Sequence, residues 1–133
     1  MSDAYAAARL DEIAHPKWDA WAPLRRHFDV RAFGVNAWRG NADDEVIEEH
    51  DEAASGHEEL YLVVDGHARF NLGVSEIDAP KGTAVFVRDP AVTRKATAVA
   101  DGTVVLAVGG WDGRAFEVSE WETRSFEDVE PDR

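Results

Sequence analysis

The chain has 133 residues, 44% of them hydrophobic and 31% charged, with a formal net charge of −13 and no cysteine. This is the length and composition of one folded domain able to bury a core, not of a disordered segment. The acidity counts against nucleic acid and anionic membrane surfaces as partners, and the missing cysteines exclude disulfides, thiolate metal sites and cysteine nucleophiles.

The N-terminal stretch AYAAARLDEI, residues 4–13, favours a short helix through its alanine, arginine and leucine content. Pro16 and Pro23 interrupt the next stretch, and Trp18, Trp21 and Phe28 suggest a lid or edge layer packed on the main body. No basic start precedes an apolar core here, so no secretory signal is expected. No apolar run approaches the roughly 20 residues of a membrane helix. A cytoplasmic location is the expectation, with no membrane partner.

From Val30 the pattern becomes that of strands. VRAFGVNAW and VIEEH flank a turn cluster, GNADDE. DEAASG reads as a loop. EELYLVVDG is a strand ending in a hairpin signal at Asp65-Gly66, and HARFNLG and VSEIDAP pair after it. KGTAVFVRDP closes at Pro90, AVTRKATAVA alternates weakly, and TVVLAVGG comes after a second such turn at Asp101-Gly102. Short strands at regular spacing predict an all-β antiparallel sandwich or barrel, with helix confined to short pieces near the N-terminus. In LYLVV, AVFV and TVVLAV both alternating sets are apolar, so these strands should be covered on both faces. One cover is a barrel interior and the other a second layer or another subunit; a jelly roll that forms a homodimer satisfies both.

At this point the residues resemble a small single-domain cupin of the RmlC-like jelly-roll superfamily. The stretches HEELYLVVDGHARF and APKGTAVFVRDPAVTRKATA carry the resemblance, over about residues 45–110. The family's first motif ends in a glutamate, six residues and a glycine, matched by Glu59 and Gly66. Its second begins with a glycine, five residues and a proline-containing turn, matched by Gly82 and RDPAV. The family's paired histidines fall at Glu48 and His50, with a longer gap to Glu59, and Thr93 stands where the last histidine would be. The resemblance implies a double-stranded β-helix spanning one domain, residues 1–133, with its core at about 30–110, a pocket inside the barrel, and residues 111–133 packing back onto it. It implies a small-molecule ligand and a metal position in which two carboxylates and one imidazole replace the usual three histidines and glutamate.

Glu48 and His50 lie two apart on a strand and so share a face. With Glu59, and with His57 as an additional candidate, they form a ligand set for one divalent ion, Fe, Mn or Zn. The competing expectation is a solvated acidic stretch around His50. A carboxylate at Glu59, opening a buried strand, needs a partner, and Arg88 and Arg94 are the alternatives to a metal. Either arginine, with Tyr61 on the strand face of Glu59, could line a ligand pocket. His67, His15 and His27 are expected to be exposed or structural. No phosphate-cradling loop, nucleophile elbow or serine triad is present. Two functions remain open: a small-molecule-binding module with or without a metal, and a metal-dependent enzyme of oxygenase or isomerase type on a small organic substrate.

Overall fold

The computed structural model describes residues 4–127. Among these residues nine strands form two antiparallel sheets. They are β1 (Trp21–Ala22), β2 (Gly34–Gly40), β3 (Glu45–His50), β4 (Glu58–Asp65), β5 (His67–Leu72), β6 (Ser75–Pro80), β7 (Ala84–Val87), β8 (Arg94–Ala98) and β9 (Thr103–Gly110). One sheet runs β1-β2-β9-β4-β7 and the other β3-β8-β5-β6. The expected all-β jelly roll is therefore the fold that forms. No helix is long and apolar enough to cross a membrane among the described residues.

Alternation builds the core. On β4 Tyr61 and Val63 turn inward, on β9 Val105 and Ala107, on β5 Ala68 and Phe70, on β8 Ala96 and Ala98, and all are buried together between the sheets. Burying one Phe- or Val-sized side chain is worth roughly 1.5–3 kcal/mol, so this layer supplies much of the driving force. The Asp65-Gly66 turn joins β4 to β5 as its sequence predicts. Gly66 has φ of 72°, and a Cβ there would lie 2.6 Å from the Thr103 Cα, so only glycine fits.

Three features differ from the expectations. The N-terminal stretch makes only a 3-10 turn at Leu10–Glu12, and its chain otherwise runs extended. Tertiary contact overrides its helix propensity: Ile13 and Leu10 pack with Ala22, Ala37, Leu24 and Phe28 onto Val104 and Leu106, the outer face of β9. The second cover of β9 is thus the chain's own N-terminal segment. Helix is also not confined to the N-terminus. Besides α1 (Leu24–Phe28), a short α2 (Glu120–Arg124) lies near the C-terminus.

The two short helices are tied together. Arg25 Nε donates to Glu122 Oε2 at 2.7 Å, with both residues buried. Around this pair, Trp21 stacks on Trp38 at 5.6 Å and meets Trp121 at 5.2 Å and Phe126 at 5.5 Å. His15, expected to be exposed or structural, is buried against Trp18 and Trp21, its Nε2 2.8 Å from the Ser125 carbonyl. His67 is partly exposed and pairs across β5 and β6 with Asp78 at 2.5 Å.

Candidate functional site

A cavity of about 720 Å³ opens at the end of the barrel where β3, β4 and β9 meet the two short helices. It is of the size that holds a small molecule. His50 and Glu59 reach it from opposite sheets. His50 ends β3 and faces Arg94 of β8 in the register. Glu59 lies near the start of β4, opposite Gly109 of β9 and Val87 of β7.

Glu52, not Glu48, completes the group. One donor atom each from His50, Glu52 and Glu59 lies within 4.8 Å of the others. His50 Nε2 is 3.0 Å from Glu52 Oε1 and 3.8 Å from Glu59 Oε1; the second distance is an ionic contact, too long for a direct hydrogen bond. The alternation argument for Glu48 fails because β3 is irregular: its register against β8 shifts between Glu45 and Ile47 and again between Ile47 and His50. The Glu48 side chain is exposed, and this residue's backbone carbonyl serves the site instead, 2.7 Å from His50 Nδ1. That bond makes Nδ1 an N–H donor to the carbonyl and aims Nε2 at the carboxylates.

Glu52 is held by the loop after β3. Its backbone N–H donates to the Pro90 carbonyl at 2.7 Å, and Ser55 Oγ donates to its Oε2 at 2.8 Å. In the sequence it is one of several acidic residues around His50 expected to be solvated; no signal short of the loop's path distinguishes it from its neighbours.

Glu59 joins a buried tyrosine to a buried arginine. Its Oε1 accepts from the Tyr61 hydroxyl and from Arg94 Nη1 at 3.2 Å. Arg94 is fully buried, and its remaining donors go to the Val92 carbonyl at 3.0 and 2.9 Å. Of the two arginines considered for Glu59, Arg94 is therefore the partner. Neither arginine lines the cavity: Arg94 is buried behind Glu59, and the Arg88 side chain is 79% exposed, pairs with Glu58 at 3.6 Å and lies over the Phe86 ring. Arg88 directly follows β7, whose inward residues are Val85 and Val87, so the alternation turns it outward. Tyr61 lines the cavity. So does His57, buried edge-on to Trp111 at 4.1 Å between ring centroids; its Nε2 has no hydrogen-bond partner among the described residues.

The electrostatics arise from these contacts. Hydrogen bonding to Glu52, reinforced by the nearby Glu59 carboxylate, raises the His50 pKa to about 10 against the cost of burial. For Glu52, burial works upward but is outweighed by its bonds from His50 and Ser55, and the net direction is down. Burial, then the charge on Glu59, holds the Tyr61 phenol protonated far above its ordinary range. In the metal-free site, then, a protonated imidazole and a buried guanidinium face two carboxylates.

Comparisons with known structures agree with this architecture. A cupin protein from Bacteroides fragilis superposes with a TM-score of 0.67 at 17% identity, over 90% of this chain and 93% of that one. The chain is a small cupin-fold domain. A sugar phosphate isomerase of the cupin superfamily from Silicibacter pomeroyi gives 0.57 at 16% identity, over 71% and 61% of the two chains. KdgF from Halomonas gives 0.52 at 15%, over 60% and 70%. No family model and no curated protein matches the sequence. At these identities the likeness is one of cupin fold.

The donor set fits a divalent ion. An imidazole nitrogen and two carboxylates suit Mn, Fe or Zn, and the cavity beside them leaves positions for water or ligand. The group that would hold it is His50, Glu52 and Glu59. Arg94 on Glu59 offsets part of the carboxylate charge that would face an ion there.

Proposed function

We propose that the chain binds a small molecule inside the cupin barrel, beside a divalent-metal position formed by His50, Glu52 and Glu59. The observation that carries this reading is the convergence of those three donors within 4.8 Å on the wall of a cavity of about 720 Å³. The ion, when bound, would supply a Lewis acid and an anchor for a ligand oxygen or nitrogen. The protein's part is to hold the donors: Glu48 through its carbonyl, Ser55 through its hydroxyl, and Arg94 with Tyr61 through Glu59. An enzyme of oxygenase or isomerase type is the second reading. It is favoured by His57, a buried imidazole in the cavity wall whose Nε2 is unengaged among the described residues, as an acid–base group would be before substrate arrives.

The test is metal content. Protein grown with excess Fe, Mn and Zn and purified without chelator should carry one ion per chain, and Glu59→Gln and His50→Ala should each lose it. If the wild type carries none, the cluster is an ion-pair network built on Arg94 and Glu59, and the binding module works without a metal.

A further inference from the structure

We infer that the ligand of this cavity is a small organic cation, an amine or quaternary ammonium ion, held by indole faces and carboxylates. The inference rests on the reading of the cavity as the ligand site and adds the class of ligand. Two independent features carry it.

The first is the aromatic wall. Four of the five tryptophans line the cavity: Trp18, Trp21, Trp38 and Trp121. They are mutually packed, Trp21 being 6.4 Å from Trp18 and 5.2 Å from Trp121, and Trp38 6.4 Å from Trp121. Trp18 and Trp121 nevertheless remain about half exposed, at 50% and 49%. Large apolar rings left open beside a cavity offer π faces to whatever enters, and an indole is the side chain that best attracts a cation.

The second is the charge. Glu45, Glu48, Glu49 and Asp51 line the cavity along β3 and the residue after it, and none has an ion pair with a basic side chain among the described residues. The basic groups nearby are already engaged: Arg25 by Glu122, Arg94 by Glu59, and His50, itself on the cavity wall, by Glu52 and Glu59. Glu122 adds a buried contribution. Its residue is 4% exposed and lines the cavity, and while Oε2 is bonded to Arg25, Oε1 has no partner among the described residues. A buried carboxylate oxygen without a donor is costly, and its negative potential at the cavity wall is relieved by a cation in the cavity. An anion entering the same space would meet uncompensated carboxylates and gain nothing from the indole faces.

Three probes of one shape separate the possibilities: choline, its neutral carbon isostere 3,3-dimethylbutan-1-ol, and the anion 3,3-dimethylbutanoate. Calorimetry and tryptophan fluorescence should show choline binding at millimolar concentration or below, at least about tenfold tighter than the isostere, with no measurable binding of the anion. Trp121→Ala should weaken choline at least about tenfold, and Glu122→Gln should do the same. Because Glu122→Gln touches a buried pair, Glu48→Gln/Glu49→Gln on the exposed side of β3 serves as the second charge variant, and should also weaken choline. Equal affinity for choline and its isostere, tighter binding of the anion, or no binding of choline overturns the inference. Manganese titration on the same samples keeps it distinct from the metal reading: choline bound without manganese overturns the metal position alone, and manganese bound without choline overturns the cation alone.

Discussion

Arg94 and Glu59 meet at 3.2 Å across the barrel interior, the guanidinium with no solvent exposure and the carboxylate with 15%. They lie on different sheets, β8 and β4, so the pair ties the two layers together behind the cavity wall that Glu59 lines. Breaking a buried pair leaves the surviving charge uncompensated, which costs about 3–5 kcal/mol. Arg94→Met should destabilise the protein by about that amount in urea denaturation. The double variant Arg94→Met/Glu59→Gln should lose less than the sum of its single changes. Additive losses would mean that the two side chains do not act as a pair.

The metal prediction separates two neighbouring glutamates. Glu52→Gln should lose bound manganese, whereas Glu48→Gln should retain it, because Glu48 offers His50 a backbone carbonyl and not its carboxylate. Manganese titration of both variants decides it, and the opposite order would show β3 pairing without its register shifts.

For His50 the folded pKa, about 10, lies above its ordinary value near 6.5. A raised folded pKa contributes stability that is fully present below the unfolded value and is lost as pH rises through the folded one. The melting-temperature difference between metal-free wild type and His50→Gln should thus be greatest near pH 5–6.5, shrink as pH climbs toward 10, and vanish above it. NMR of the metal-free protein should find the His50 imidazole still protonated at pH 8; a midpoint near 6.5 would contradict the Glu52 hydrogen bond.

The C-terminal segment is predicted to hold the cavity mouth together. Phe116 packs on Trp111, Trp121 on Trp21 and Trp38, and Phe126 on Trp21 and His15, while Glu122 neutralises Arg25. Removing residues 115–133, of which 128–133 lie outside the described residues, should lower the melting temperature by several degrees, because each partly buried ring contributes a share of the roughly 1.5–3 kcal/mol of full burial and Arg25 is left buried without its carboxylate. An unchanged melting temperature would show that these contacts contribute nothing.

A homodimer is predicted through the outer face of β4 and β7. Leu60 and Phe86 are register partners there, 42% and 46% exposed, and β7 is the edge of its sheet. Sedimentation at micromolar concentration should give twice the 14.7 kDa chain mass, and Phe86→Asp should give the single chain. A monomeric wild type would leave that face simply exposed.

Strand order along the chain, the Asp65-Gly66 and Asp101-Gly102 turns and the inward aromatic Tyr61 were legible in the sequence, because alternation and turn chemistry are local. Glu59 was legible too: a carboxylate opening an otherwise apolar strand must find a partner, and the candidates could be counted. Which arginine answers it could not be read, since Arg88, just after β7, and Arg94, opening β8, differ in the direction the backbone turns them. The exchange of Glu48 for Glu52 depended on two register shifts in β3 that no residue type announces, because a bulge reverses the facing of every side chain after it. The aromatic wall was the least local feature of all. Trp18, Trp21, Trp38 and Trp121 stand up to 103 positions apart by their own numbering, and they meet because α2 folds back over β1 and β2, a contact that no local residue pattern encodes.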